Sequence, residues 1–182
     1  MKYFTTILLC LTLASLIFVG CGNDDDYRNY GTFKFDNQEA IITEGNLFYL
    51  GNYYNANTSA ARLVLSTGSL RYHQRENAFS GSGSLLDLFL ISEPEGISSG
   101  TYQCAGYHNI DIGTATPGIF VNAIFIAKLI EGAFTEQDII FDGEINISVN
   151  GDSYDIVFSL SNGFMPELTG HFTGKLTFYD LR

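Results

Sequence analysis

The chain has no tryptophan, three prolines, three cysteines, three histidines and only nine basic residues against 20 acidic ones. Each shortage narrows what it can be. Arg28, Lys34, Arg62, Arg71, Arg75, Lys128, Lys175 and Arg182 are scattered, and the formal net charge is −11. Phosphate backbones and anionic lipid surfaces are held by clustered Lys and Arg, so nucleic acid is not an expected partner. An acidic surface instead keeps a protein soluble beside an anionic membrane. His73, His108 and His171 lie far apart and none begins a metal-ligand spacing. Asp24, Asp25 and Asp26 lack the glycine and distal glutamate of a calcium loop, so no metal and no cofactor are expected. Ser80-Gly81-Ser82-Gly83-Ser84 reads as a flexible loop, since a nucleophile elbow needs a strand before and a helix after it. Glu93 and Glu95 flank Pro94 in a turn, a spacing that does not make a glycosidase pair. No catalytic residues are expected.

What is present begins with an apolar start. After Lys2, the stretch from Phe4 to Val19 carries no charge and is dominated by Ile, Leu, Phe and Ala. That is the pattern of a helical secretory leader, and it is short for a permanent span of roughly 20 residues. It ends in Phe18-Val19-Gly20-Cys21, which resembles the bacterial lipobox at three of its four positions, with Phe18 where Leu is usual. The resemblance implies cleavage before Cys21 and acylation of that cysteine. Each buried methylene contributes about 0.8 kcal/mol, so two or three acyl chains hold a protein stably at a bilayer. The following Gly22-Asn23-Asp24-Asp25-Asp26 is similar to the acidic surface-export signal of Bacteroidetes lipoproteins. It implies an outer-membrane protein facing outward, the alternative being a periplasm-facing anchor. By charge alone the run is a solvated tether, because adjacent carboxylates repel.

Three segments follow: residues 1–20 as lipoprotein signal peptide, 21–30 as acidic tether and 31–182 as one domain. Cys10 leaves with the leader and Cys21 is lipidated, so Cys104 has no partner for a disulfide. It sits in a strand pattern and reads as a buried, unreactive thiol. The core alone must hold the fold.

From Gly31 onward apolar and polar residues alternate at period two, broken by turn residues about every ten positions, the pattern of an all-β sandwich or barrel. Ile145, Ile147 and Val149 alternate with polar residues. Asn150-Gly151-Asp152 supplies tight-turn chemistry, and Tyr154, Ile156, Phe158 and Leu160 alternate again. This predicts a β-hairpin. A turn at Asp36-Asn37 separates Phe33 and Phe35 from Ala40–Thr43. Leu86, Leu88 and Leu90 share a face opposite Asp87, and Phe172, Leu176 and Phe178 form the last strand. Residues 119–129 place Ile119, Val121, Ala123, Phe125 and Ala127 on one face and Phe120, Ile124 and Ile126 on the other. A strand with two apolar faces is covered on both or lines a cavity. The count is about ten strands. The expected fold is an antiparallel β-sandwich, with a lipocalin-like β-barrel as the alternative. Gly68–Ser84 and Ala105–Gly118 read as long loops able to carry function.

Ile97-Ser98-Ser99-Gly100-Thr101-Tyr102, Val149-Asn150-Gly151-Asp152-Ser153-Tyr154 and Thr169-Gly170-His171-Phe172-Thr173-Gly174-Lys175-Leu176 look like phrases of small β-rich surface lipoproteins of Bacteroidetes-type bacteria. The resemblance implies a sandwich or lipocalin-like barrel and no particular activity. Eleven tyrosines and fifteen phenylalanines are the one compositional excess. Tyrosine joins an apolar face to a hydrogen-bonding tip, which suits sugar stacking and protein contact. Tyr49, Tyr53, Tyr54, Tyr72, Tyr102 and Tyr107 are the candidate ligand face. The expected function is a non-catalytic surface lipoprotein that binds a glycan or protein partner. A carrier of a small apolar ligand is the alternative, and an extracytoplasmic hydrolase a distant third.

Overall fold

Period-two alternation puts one face of each strand toward a common interior. The computed structural model describes residues 29–52, 55–105, 115–130 and 133–182, and every regular element among them is a strand. The strands are β1 (Tyr30–Phe35), β2 (Gln38–Gly51), β3 (Ser59–Thr67), β4 (Arg71–His73), β5 (Ala78–Ser80), β6 (Gly83–Ser92) and β7 (Gly100–Cys104). They continue with β8 (Ile119–Ile130), β9 (Ala133–Ile140), β10 (Asp142–Asn150), β11 (Ser153–Ser161), β12 (Leu168–Lys175) and β13 (Thr177–Asp180).

Nine of them close into a barrel in the order β1-β12-β11-β10-β7-β8-β6-β3-β2, with β2 pairing back to β1. The all-β expectation holds, and the architecture is the barrel alternative; the expected sandwich is replaced. Alternation dictates which face is buried but not whether the sheet curls shut. Closure depends on the β1–β2 hairpin, whose Asp36 and Asn37 both have positive φ (47° and 60°), the paired left-handed geometry of a tight hairpin turn. β1 then pairs β12 on its other edge, from Tyr30 opposite Thr173 to Lys34 opposite Thr169. The predicted hairpin at the opposite end is β10–β11, in register from Asp142–Ser161 to Asn150–Ser153, with Gly151 at φ 59° in its turn. We call the β1–β2 turn the upper end and the β10–β11 turn the lower end.

Two long strands fork. The upper part of β2 pairs β1, and its lower part, from Asn46 to Tyr49, pairs β13 in parallel on the same edge. β8 pairs β9 over its upper part and touches β7 in parallel only at Ile119 and Phe120. Wedge strands thus occupy both forks. β12 and β13 are separate strands divided at Leu176, where the alternation had read as one.

The lumen is filled. Phe33, Leu63, Leu65, Leu86, Leu88, Leu90, Tyr102, Phe120, Phe125, Ile145, Ile156, Phe158 and Phe172 meet there, all nearly inaccessible to solvent. Glu144, Asn146, Asp155 and His171 lie on the opposite face of the wall, toward water. A membrane barrel has the reverse polarity, an apolar band outside.

β3 and β8 are buried on both faces because pieces of chain fold over the outside of the wall. The expected loop at Gly68–Ser84 contains the β4–β5 hairpin, whose Leu70, Tyr72 and Phe79 pack on Phe48, Val64, Leu85 and Ile126. Ala115 covers a smaller cluster with Ala60, Ile91 and Val121. The two-faced apolar reading of residues 119–129 is therefore right in kind, with different face membership. A register shift between the Phe89 and Leu90 pairings interrupts the period of β8, as bulges do. Phe120, Ala123 and Phe125 point inward, while Val121, Ile124 and Ile126 join the outer clusters.

Candidate ligand-binding sites

A barrel with a packed lumen offers its ends and its outer wall. At the lower end β13 lies beside β2 with Phe178 opposite Leu47 and Tyr179 opposite Phe48. Leu47 and Tyr49 share the inward side of β2, so Tyr49 and Phe178 flank the mouth. Their rings lie 6.5 Å apart at 29°. The Tyr49 hydroxyl donates to the Pro94 carbonyl at 2.7 Å, which fixes the ring. The Arg182 guanidinium sits 4.9 Å from the Tyr49 ring centroid, within cation–π range. Asp180 holds that guanidinium through both carboxylate oxygens, at 2.8 and 2.5 Å. The side-chain bonds to Arg182, then the bond from its backbone N–H, keep the Asp180 carboxyl well below the usual range, at about 2. Tyr154 completes the wall, its phenol pushed up by burial and then by Asp152. Together with the Pro94–Ile97 turn these groups line an opening of about 340 Å³. Phe178 remains 59% exposed, an uncovered aromatic surface beside a fixed tyrosine and a cation.

The upper mouth differs. Phe33, Phe35 and Phe125 floor an opening of about 400 Å³, with Asp36, Glu39, Glu136 and Lys128 on its rim. The Phe35 and Phe125 rings are 5.1 Å apart, and Phe33 meets Phe125 edge-on at 5.9 Å.

On the outer wall, Tyr72 of the β4–β5 flap inserts against Phe48 (4.6 Å) and Tyr179 (4.9 Å). The Tyr179 ring stacks on Phe48 at 5.0 Å and 13°, and its phenol is pushed up by burial, then by Glu44 and Tyr72. Arg62 lies 5.5 Å from the Phe48 centroid and is held by both oxygens of Asp87. The side-chain bond to Asp87 raises its pKa against the opposing effect of burial.

The candidate tyrosines do not form one face. Tyr49 lies in the lower mouth and Tyr72 in the flap, on opposite sides of the β2 wall. Tyr102 is 1% exposed; its hydroxyl donates to the Ser98 carbonyl at 3.1 Å and lies 3.3 Å from Ser92 Oγ, so it is a core tyrosine. Tyr53, Tyr54 and Tyr107 lie outside the described residues, as do Cys21 and Asp24, Asp25 and Asp26. Phe178, Tyr154 and Arg182 were not singled out from sequence. Their only signal is an aromatic pair, Phe178-Tyr179, at a point where the last strand had already been assigned to the core.

Among the described residues no three His, Cys, Asp or Glu side chains converge as ligands for a metal ion. His171, Asp155 and Thr173 do cluster on the outer wall. Both partners approach the same ring nitrogen, Nε2, each at 2.8 Å. A proton relay needs the carboxylate and the hydroxyl on opposite nitrogens, so Thr173 is not activated there. Cys104 is half-buried, packed against the core and outside any disulfide. No family model, curated protein or solved structure matches the chain.

Proposed function

We propose that this protein is a non-catalytic binding lipoprotein, anchored through acylated Cys21 and carried to the cell surface, that takes a glycan at the lower mouth of its barrel. The single observation behind the ligand is the Tyr49–Phe178 pair with Phe178 uncovered. A sugar ring stacks its apolar face on an exposed aromatic ring. The Arg182–Asp180 pair supplies fixed donors and acceptors for hydroxyls at the edge of that surface. The motif at Phe18–Cys21 supports the anchor and the acidic run at Asp24–Asp26 the outward export. The tether then presents the domain to the medium.

Glycan-array binding of the purified protein tests the ligand. Phe178→Ala is expected to weaken the retained glycan by about two- to tenfold, because one stacked aromatic contact contributes about 0.5–1.5 kcal/mol. Retention of no glycan, or full binding by the variant, overturns the reading. Protease shaving of intact cells tests the outward face, and loss of acyl label in Cys21→Ala tests the anchor.

A second reading rests on the three phenylalanines that floor the upper mouth: a small apolar ligand seated at that rim, as a carrier would hold it. Since core side chains occupy the lumen, such a ligand sits at the mouth. Saturable binding of a fluorescent fatty acid that Phe35→Ala abolishes would favour it.

A further inference from the structure

The outer wall beneath the β4–β5 flap holds three buried polar atoms with no hydrogen-bond partner among the described residues. Asn46 lies opposite Val64 and Ser66 opposite Glu44 in the β2–β3 register, so Asn46 and Ser66 are diagonal neighbours on one face. That face is the outer one, since Val64 and Phe48 of the same rows pack under the flap. Both residues are wholly buried, and among the described residues Nδ2 and Oδ1 of Asn46 and Oγ of Ser66 have no hydrogen-bond partner. Buried polar groups in folded proteins are almost always bonded, and leaving one unbonded is destabilising.

What covers the pair is a small separate sheet on a narrow base. The flap leaves and rejoins the barrel at Gly68 (φ 70°) and Gly81 (φ 98°), joined by the Ser69 N–H donating to the Ser82 carbonyl at 2.9 Å. Two glycines in left-handed conformations facing each other form a hinge of the kind that absorbs backbone rotation. The flap is held down by Leu70, Tyr72 and Phe79, which pack on Phe48, Val64, Leu85 and Ile126, and by the Arg71–Glu44 ion pair at 3.3 Å. The Tyr72 ring lies edge-on to the stacked pair Phe48 and Tyr179, and its hydroxyl donates to Asn77 Oδ1 at 2.8 Å within the flap.

We propose that this is a second binding site, for the ring of a neutral sugar, and that Tyr72 occupies it when the flap is closed. The chemistry selects the ligand. Asn46 Oδ1 needs a donor, Nδ2 needs an acceptor, and Ser66 Oγ takes either. A carboxylate or phosphate only accepts and an ammonium only donates. Sugar hydroxyls do both. The neighbouring charges are already paired, Arg62 with Asp87 and Arg71 with Glu44, which leaves no uncompensated ion for a charged ligand. A pyranose and a phenol are both six-membered rings, so the sugar takes the place of Tyr72 against Phe48 and Tyr179 once the flap swings out. The site does not depend on the lower-mouth reading, because it lies on the opposite side of the β2–β13 wall.

The test is an NMR titration of the full chain, expressed with its own leader and purified in detergent. Probes are the methyl glycosides of glucose, galactose, mannose and N-acetylglucosamine, with glucuronic acid and glucosamine as charged controls. A neutral glycoside is expected to bind and the charged sugars to bind at least about tenfold more weakly. Tyr72→Ala is expected to tighten binding several-fold, because the competent open state is no longer depopulated. Asn46→Leu is expected to abolish the sugar-induced shifts of the flap and of β2–β3 around Asn46 and Ser66, leaving any at Phe178 unchanged, while holding or raising the thermal midpoint, a combination that a merely structural asparagine would not give. Ser66→Ala is a second variant with the same expectation should Asn46→Leu fail to fold. Absence of neutral-sugar binding in both the wild type and Tyr72→Ala overturns the proposal, as does preference for a charged sugar. Binding that Phe178→Ala abolishes and Asn46→Leu leaves intact also overturns it, and in that case the lower-mouth reading stands.

Discussion

Arg62 and Asp87 offer a quantitative test of how the outer wall is held. They sit on adjacent strands β3 and β6, bonded through both carboxylate oxygens, with Arg62 over the Phe48 ring. Removing one partner of a fully buried pair costs about 3–5 kcal/mol, because the survivor is left as an uncompensated charge. Here the Arg62 side chain keeps 35% of its exposure and Asp87 keeps 15%, so water recovers part of that cost. Asp87→Ala should therefore destabilise the domain by about 2 kcal/mol. At this chain length that lowers the thermal midpoint by about 4–8 °C. Replacing both partners, Arg62→Leu with Asp87→Leu, should return stability to within about 1 kcal/mol of wild type, because neither charge is then stranded. Urea unfolding of the wild type, both single variants and the double variant measures the coupling directly. A single-variant loss below about 0.5 kcal/mol would show that water screens the pair fully. A double variant as unstable as the two singles added would show that the residues act independently. Either result refutes the reasoning.

Tyr154 has a phenol pKa raised above 10.0 by burial and by Asp152, and Tyr179 is raised in the same direction. A group whose folded pKa exceeds its unfolded value stabilises the fold fully below the unfolded pKa and loses that contribution as pH rises through the folded one. Urea midpoints should therefore hold below about pH 10 and fall as pH rises above it, and Tyr154→Phe should flatten part of that fall. Gly45→Ala should cost about 1–3 kcal/mol by overpacking, since a Cβ there would stand 2.5 Å from Leu176 and 3.0 Å from the Phe172 ring. Calorimetry of the variant measures it, and an unchanged midpoint would show that β13 shifts freely.

The parts of the fold that were legible in sequence are those decided locally. The β10–β11 hairpin follows from turn residues between two alternating runs, and its register came out as the pattern required. The two apolar faces of β8 marked it as covered on both sides or lining a cavity or partner site, and the first is what the structure has. What covers it was not legible. Each strand of the flap is three residues long within a Ser- and Gly-rich stretch, too short for a period to register. Its apolar anchors, Leu70, Tyr72 and Phe79, are spaced across a turn. Barrel closure was equally hidden, because a sandwich and a barrel place the same side chains inward and differ only in which distant strands meet. The tyrosine list failed for a chemical reason. Tyr102 and Tyr49 are alike in sequence and each hydroxyl donates to a backbone carbonyl, Ser98 and Pro94 respectively; only burial in the lumen for one and an open mouth beside the other separates them.

Both candidate sites depend on β13, four residues paired along one edge in parallel with β2. So short a ladder is a weak constraint, and side-chain packing must supply the rest. On one side Tyr179 stacks on Phe48; at the strand's entrance Leu176 descends into the space that Gly45 leaves beside Phe172 and Leu65. Because a strand alternates, the seat that aims Tyr179 at the outer wall necessarily aims Phe178 into the lower mouth. One wedge strand thus furnishes one aromatic ring to the lower mouth and another to the packed cluster on the outer wall. Gly45 touches neither ligand position, yet a side chain there would push out the residue on which the placement of both rings rests.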